Sequence, residues 1–328
     1  MKKTYNITIL GAGQIAEKMA HTLQQMPRAN SYAVASRSLE KAQQFAQRWG
    51  FSKAYGSYTD MLADPAIDLV YVATPHAMHY SHVLQCLQAG KAVLCEKAFT
   101  CNAREAEALI HEAEARKLLL AEAIWTRYLP LMQTVKQLVN SGIIGQPRTL
   151  TANLSYPISH KERIQRPNLG GGALLDIGVY TLNFAAMLFG TDIKKIDSCC
   201  EKTPSGMDAQ DSITLWYNDG KMAQLSSSIY VRSDRMGIIS GTEGHIIVEN
   251  VNNPSRLTVV NNQYQAIKKC EAPVQITGFE YEVEACLNAL DHHCIEPSYM
   301  PHAETLRMMR LMDTLRQQWG VRFPNDLA

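Results

Sequence analysis

The chain has 328 residues, about two domains at ~150 residues each, enough to bury a core without disulfides or structural metals. With 46% hydrophobic and 19% charged residues it has an ordinary globular composition, neither disordered nor fibrous. Thirty-two Lys and Arg against 31 Asp and Glu leave a net charge of +1, which speaks against a dedicated nucleic-acid or acidic-membrane binder. The eight cysteines contain no CxxC and fit free thiols in a reducing cytoplasm. Lys2 and Lys3 precede only a short apolar run, ITIL, too short for a signal-peptide core. No stretch reads as a membrane span, so a cytoplasmic protein without a membrane partner is expected.

In chain order, Ile7 to Leu10 reads as a strand and Gln14 to Gln25 as a helix with Ile15, Met19 and Leu23 on one face. Tyr32 to Ala35 is a second strand and Leu39 to Trp49 a second helix. Asp68 to Ala73 and Ala92 to Cys95 are continuous apolar runs, the pattern of parallel strands covered on both faces. A helix from about Met78 to Gln88 stops at Gly90; Asn102 caps another over Ala103 to Arg116; Leu118 to Ile124 is a further strand. This alternation predicts a doubly wound Rossmann α/β sheet over residues 1–123.

Beyond Trp125 the pattern changes. A helix is expected from about Leu131 to Asn140 and another from Leu174 to Phe189. Strands are expected at Arg148 to Tyr156, Ile193 to Cys200, Asp211 to Tyr217, Ala223 to Val231, Gly237 to Gly241, His245 to Glu249 and Arg256 to Val260. Helices near Glu280 to Asp291 and Ala303 to Trp319 close the chain, with the methionines of the last as packing. Residues 124–328 are thus expected to form an α+β domain with a large, mostly antiparallel, open-faced sheet. The alternation from Gln224 to Val231 suggests an uncovered face, and with it a homodimer or a dimer of dimers.

Gly11-Ala12-Gly13-Gln14-Ile15-Ala16 reads GxGxxA between a strand and a helix. Gly11 permits the tight turn, Gly13 lets backbone approach a pyrophosphate, and the helix start at Gln14 and Ile15 offers free N–H groups. The second strand ends in Ala35-Ser36-Arg37-Ser38, with no acid between Asn30 and Leu39. An acid there would bind a free ribose 2′-hydroxyl; Ser36 and Arg37 suit a 2′-phosphate instead, so NADP is expected over NAD.

Three further segments complete a pattern: Ala73-Thr74-Pro75-His76-Ala77-Met78-His79; Gly90 to Ala98 with Glu96-Lys97; and Gly170-Gly171-Gly172-Ala173-Leu174-Leu175-Asp176-Ile177-Gly178-Val179-Tyr180. With the glycine loop these closely resemble the glucose-fructose oxidoreductase / inositol dehydrogenase (Gfo/Idh/MocA) family across essentially the whole chain. Glu122 to Tyr128 and Tyr180 resemble the branch of dimeric dihydrodiol dehydrogenase and NADP-dependent xylose dehydrogenase. The resemblance implies hydride exchange between NAD(P) and a carbinol of a sugar or cyclic diol. It places Lys97 beside the nicotinamide, with Asp176 and Tyr180 facing it from the second domain, and has Thr74, Pro75, His76, His79 and Glu96 around the cofactor. Ala98 departs from the family's usual proline, a softer turn and not a lost site.

The chemistry agrees. Oxidising a carbinol needs a base for its hydroxyl proton; a free tyrosine titrates near ~10, and an adjacent ammonium favours phenolate. Tyr180 is the expected proton-transfer residue, Lys97 its electrostatic partner, and Asp176 shares a helical face with Tyr180 at i and i+4. Asp176 as a helix-start charge and Tyr180 as a core aromatic are the plainer alternatives. Trp125, Tyr156 and Phe279 are candidate substrate-pocket walls, or ordinary core. His76 with His79, and His292-His293-Cys294, lack zinc spacing, so no metal is expected. Two rivals stay open: a cofactor-sensing regulator, and a sugar–sugar oxidoreductase with tightly bound NADP.

Overall fold

The computed structural model describes residues 3–326; Met1, Lys2, Leu327 and Ala328 lie outside them, the first lysine of the N-terminal reading included. The chain forms two compact units. One is Met1–Ile124 with Gln275–Leu306, the other Trp125–Val274 with Arg307–Ala328.

The first unit is built on β1 (Tyr5–Leu10), α1 (Gln14–Leu23), β2 (Ala29–Ala35), α2 (Leu39–Trp49), β3 (Lys53–Tyr55), α3 (Tyr58–Leu62), β4 (Leu69–Val72), α4 (His76–Gln88), β5 (Ala92–Glu96), α5 (Ala103–Arg116) and β6 (Leu120–Ala123). Its six strands are ordered β3-β2-β1-β4-β5-β6, every pairing parallel. The residues of β4 and β5 are buried throughout, which is why they read as continuous apolar runs. The strand order reverses between β1 and β4, the switch point beyond whose strand ends such sheets bind ligands. Helix ends follow local signals: the side chains of Ser38 and Asn102 cap α2 and α5, and Gly50 ends α2 with φ 66°.

The second unit contains α6 (Pro130–Asn140), β7 (Pro147–Ser155), α7 (Glu162–Gln165), α8 (Val179–Phe189) and the strands β8 (Ile193–Lys202), β9 (Asp208–Tyr217), β10 (Met222–Ser228), β11 (Gly237–Gly241), β12 (Gly244–Glu249), β13 (Arg256–Asn261) and β14 (Ala266–Glu271). They form an eight-stranded sheet, β14-β13-β12-β11-β7-β10-β9-β8, antiparallel except where β7 meets β10. On β9 and β10, Ala209, Ile213, Leu215, Tyr217, Ala223 and Leu225 are buried. The alternate residues Gln210, Ser212, Gln224 and Ser226 are exposed. The open face is therefore mostly polar on these strands, with Trp216 its large apolar side chain and Tyr230 and Val231 exposed just past β10.

Pro167–Phe189 is long and apolar enough to cross a membrane, a stretch the sequence reading overlooked; its apolar window is 94% buried, and ten of the eleven residues of α8 are core. The helix also starts differently from expectation: Leu174–Gly178 is a π-helical turn running into α8. Gly178 fits because a Cβ there would stand 3.3 Å from the Ser227 hydroxyl.

The chain then returns to the first unit with α9 (Glu280–Asp291) before α10 (His302–Trp319). Arg28, beside β2, holds α9 by reaching Glu284 at 2.7 Å, Asn288 at 3.0 Å and Asp291 at 2.5 Å; Tyr5 donates to Asp291 at 2.8 Å. Met308, Met309 and Met312 of α10 are buried, as a packing stripe should be.

Candidate active site

In the first unit, the glycine loop bridges β1 and α1. Gly11 has φ 107°, and a Cβ on it would meet the Ala73 carbonyl oxygen at 2.7 Å, so the turn presses against the end of β4. Gly13 is the opposite case: a Cβ there would meet nothing within 4 Å. It precedes α1 with extended backbone and, among the described residues, no side-chain cap, so no capping side chain offsets the partial positive charge of the helix start. Gln14 is exposed and Ile15 half-buried in that first turn. These residues fit the pyrophosphate of a dinucleotide.

At the end of β2, Ser36 is buried and Arg37 exposed. Ser38 caps α2 through the Lys41 N–H at 3.3 Å. Arg37 acts electrostatically on Tyr58 and His82, two residues the sequence reading passed over. Tyr58 meets the His82 ring edge-on at 4.9 Å, and His82 Nδ1 lies 3.0 Å from Thr74 Oγ1. Burial, then the charges of His79 and Arg37, bring the His82 pKa down to about 4, so the ring is neutral. Its signal was the i, i+3 series His76, His79, His82; Tyr58 had none.

Pro75 precedes α4, and buried His76 opens it, its ring 5.7 Å from that of His79. His79 is fully buried between two strand ends. Its Nε2 lies 2.7 Å from the Thr74 carbonyl, and its Nδ1 lies 2.9 Å from that of Ala98 and 3.2 Å from that of Phe99. It thus ties the turn after β4 to the turn after β5. Burial lowers its pKa.

β5 delivers Glu96 and Lys97 to that turn; Lys97 is half-buried, and the Lys97–Ala98 peptide is cis. Glu96 accepts the Lys97 N–H at 3.1 Å and the Tyr71 hydroxyl on its other oxygen. Glu122 and Glu282 are buried too, and Glu282 interacts electrostatically with Glu96 and Glu122. Among the described residues neither Glu282 oxygen has a hydrogen-bond partner, and burial, then the charges of Glu96, Glu122 and Glu280, push its pKa well above the carboxylate range. Burial thus favours the protonated form of Glu282. Phe279, buried, immediately precedes α9 in the same unit.

In the second unit, Asp176 sits in the π turn and Tyr180 in the first turn of α8, 8% and 9% exposed. Asp176 is gripped by a fork the sequence reading missed: Arg163 Nη1 and Nη2 donate to its two oxygens at 2.9 and 3.0 Å. Farther along α8, Arg127 Nε donates to Asn183 Oδ1 at 2.6 Å, and Asn183 donates to the Val179 carbonyl at 2.8 Å. Trp125 is half-buried in the short 3-10 turn Trp125–Arg127. Half-buried Tyr156 donates to Asn252 at 3.4 Å, with the Arg235 guanidinium 6.0 Å from its ring centre. Among the described residues no group of three or more His, Cys, Asp or Glu is arranged to hold a metal ion.

Two family models match: an oxidoreductase family with an NAD-binding Rossmann fold over residues 5–123, and the GFO/IDH/MocA C-terminal domain over 132–247. The chain is 33% identical to the trans-1,2-dihydrobenzene-1,2-diol dehydrogenase of Mus musculus, over 97% of this chain and 98% of that one. It is 32% identical to the Homo sapiens enzyme of that name with the same coverage. A 3-ketoreductase from Actinomadura kijaniata, solved with NADP and TDP-benzene, superposes with a TM-score of 0.88 at 25% identity, over 96% and 98% of the two chains. Levoglucosan dehydrogenase, solved with NADH and levoglucosan, shares the fold at 18% identity with a TM-score of 0.87, over 97% of both. The uncapped glycine loop at the switch point, the Glu96-Lys97 turn and these full-length matches lead to one conclusion: the chain belongs to the Gfo/Idh/MocA family of NAD(P)-binding oxidoreductases.

Proposed function

We propose that the protein is an NADP-dependent dehydrogenase that oxidises a carbinol of a cyclic diol or sugar. The observation that carries the reading is the full-length match to trans-dihydrodiol dehydrogenases, on a chain that keeps Lys97, Asp176 and Tyr180. NADP is preferred over NAD because Ser36 and Arg37 end β2 where an acid would serve a free 2′-hydroxyl. Gly11, Gly13, Gln14 and Ile15 hold the pyrophosphate, and the Thr74 to His79 segment with Glu96 and Lys97 frames the nicotinamide half. When bound, the cofactor supplies the hydride acceptor.

The protein's own groups handle the proton. Tyr180, as phenolate, takes the hydroxyl proton of the carbinol. Lys97 donates an N–H to the same oxygen, and its positive charge favours both the phenolate and the developing alkoxide. Asp176, fixed by the Arg163 fork, keeps its oxygens in one orientation as an acceptor toward substrate. Trp125, Tyr156 and Phe279 serve as apolar walls. The assembly is a homodimer or a dimer of dimers through the open sheet face around Trp216, Tyr230 and Val231, and the compartment is the cytoplasm.

A screen of trans-dihydrodiols and aldoses with NADP⁺, followed at the NADPH absorbance band, tests the reading. Turnover of at least one class with NADP⁺ over NAD⁺ is expected; reduction of neither cofactor by any member would refute it.

A further inference from the structure

We infer that Asp208 is a positioning residue for hydride transfer: its buried carboxylate sets the first turn of the helix that presents Asp176 and Tyr180. The inference rests on the reading that those two residues serve the reaction.

Asp208 opens β9 and is 1% exposed. One carboxylate oxygen accepts the Leu174 N–H at 2.5 Å, and the Ala173 N–H donates to the same carboxylate. Leu174 is the first residue of the π turn, and its N–H is one of the groups a helix start leaves without an intrahelical acceptor. Two residues upstream, Gly172 has φ 107° and lies so close to Asp208 that a Cβ would collide with its Oδ1. The glycine run Gly170–Gly172 thus delivers the chain onto a carboxylate already in place on the sheet.

The other end of the turn rests on the same part of the sheet. Gly178 packs against the hydroxyl of Ser227 on β10. That hydroxyl donates to Asp211 Oδ2, and the Ser227 N–H donates to Asp211 Oδ1 at 3.2 Å. Asp208 therefore anchors the start of the five-residue turn that contains Asp176 and leads into Tyr180, and Asp211 orients the Ser227 hydroxyl beside its end. A buried carboxylate accepting the first N–H groups of the turn fixes its register more sharply than apolar packing does. Displacing reacting groups by about 1 Å costs about 10²-fold in rate, which gives that register its catalytic weight.

The charged and titratable surroundings are few. Asp211 shares the strand; Cys200 and Lys202 come from β8, Ser227 from β10 and Arg316 from α10. Arg316 favours the Asp208 carboxylate, and is itself paired with Asp313 and Asp326. Burial raises Asp208 to about 6, against the pull of its backbone donors. Burial and the charge of Asp208 raise Asp211 to about 7, so the two carboxyls titrate as an interacting pair. As pH falls through about 6, the carboxylate that anchors Leu174 is neutralised.

The test measures kcat, KM and NADPH affinity for wild type, Asp208→Asn, Asp211→Asn and Tyr180→Phe across pH 5 to 9. Wild-type kcat should fall on an acid limb centred near pH 6. Asp208→Asn should lower kcat by about 10²-fold with that limb gone and NADPH affinity unchanged. Asp211→Asn, whose amide oxygen can accept the Ser227 N–H while its NH2 donates to the Ser227 hydroxyl, should fold and retain the limb. A merely structural role would lower the melting temperature and leave the pH profile in place. Normal kcat in Asp208→Asn, or the same limb persisting in it, overturns the inference. If Asp208→Asn does not fold, absence of an acid limb in both wild type and Asp211→Asn overturns it equally. Tyr180→Phe separates the inference from the reading beneath it. If that variant is crippled while Asp208→Asn is normal, only the positioning role falls; if it turns over normally, both fall.

Discussion

Gly11 and Gly13 stand two residues apart in one loop, yet replacing each by alanine should have opposite consequences. At Gly11 the new methyl would lie 2.7 Å from the Ala73 carbonyl oxygen and 3.3 Å from Thr74 Cγ2, on a backbone with φ 107°. Backbone in such a glycine-favouring region costs an alanine about 1–3 kcal/mol, and the collision adds to it. At ~2–4 °C per kcal/mol, Gly11→Ala should melt several degrees below wild type. At Gly13 the backbone is φ −98°, ψ −174°, which alanine adopts freely, and the methyl meets no protein atom within 4 Å. Gly13→Ala should be as stable as wild type or up to ~1 kcal/mol more so, through loss of unfolded-state freedom. The space the methyl enters is that assigned to the pyrophosphate, so NADPH affinity should drop at least ~10-fold, about 1.4 kcal/mol. Thermal melts without cofactor and titration of NADPH fluorescence measure the two effects separately. A Gly13→Ala protein that binds NADPH as wild type does would refute the placement of the phosphates.

Arg37→Ala should raise the KM for NADP far more than that for NAD; equal effects on steady-state rates with the two cofactors would remove the 2′-phosphate argument. Arg163→Met takes the bidentate partner from Asp176, whose side chain is 9% exposed. Loss of about 1–3 kcal/mol in denaturant melts is expected, with a fall in kcat. Glu282→Gln replaces a buried carboxyl, whose protonated form burial favours, by an amide that does not titrate. Because burial raises the folded-state pKa of Glu282, its contribution is full below the ordinary carboxylate range and is lost as pH rises through the raised value. Wild type should therefore lose stability above that range more steeply than Glu282→Gln, and parallel melting-temperature curves from pH 5 to 9 would contradict the assignment.

Much of the first unit was legible because its signals are local. The runs at β4 and β5 are apolar since both faces are covered, and α2 and α5 begin and end where Ser38, Gly50 and Asn102 place them. β3, three residues long, carries too little pattern to register. β14 was missed because, as an edge strand exposed along almost its whole length, it has no buried face to alternate with. The return of α9 to the first unit depends on Arg28 reaching residues more than 250 positions away, which no periodicity announces. At the site, the glycine loop and Lys97 were readable as motifs. The Arg163 fork on Asp176, the Asp208 contact with Leu174 and the buried Glu282 were not, because each is created by tertiary burial of residues that look like surface charges in the sequence.

One measurement tests whether Tyr180 moves the proton in an NADP-dependent carbinol oxidation. It is the pH dependence of kcat for NADPH formation, with the substrate the screen identifies, in wild type and Tyr180→Phe. The substitution keeps the ring and removes only the hydroxyl, so NADPH binding should survive. The wild-type rate should rise with pH on a basic limb, and Tyr180→Phe should be slower by ~10²–10⁴-fold with that limb gone. A Tyr180→Phe enzyme with near-normal kcat and the same limb would contradict proton transfer by Tyr180.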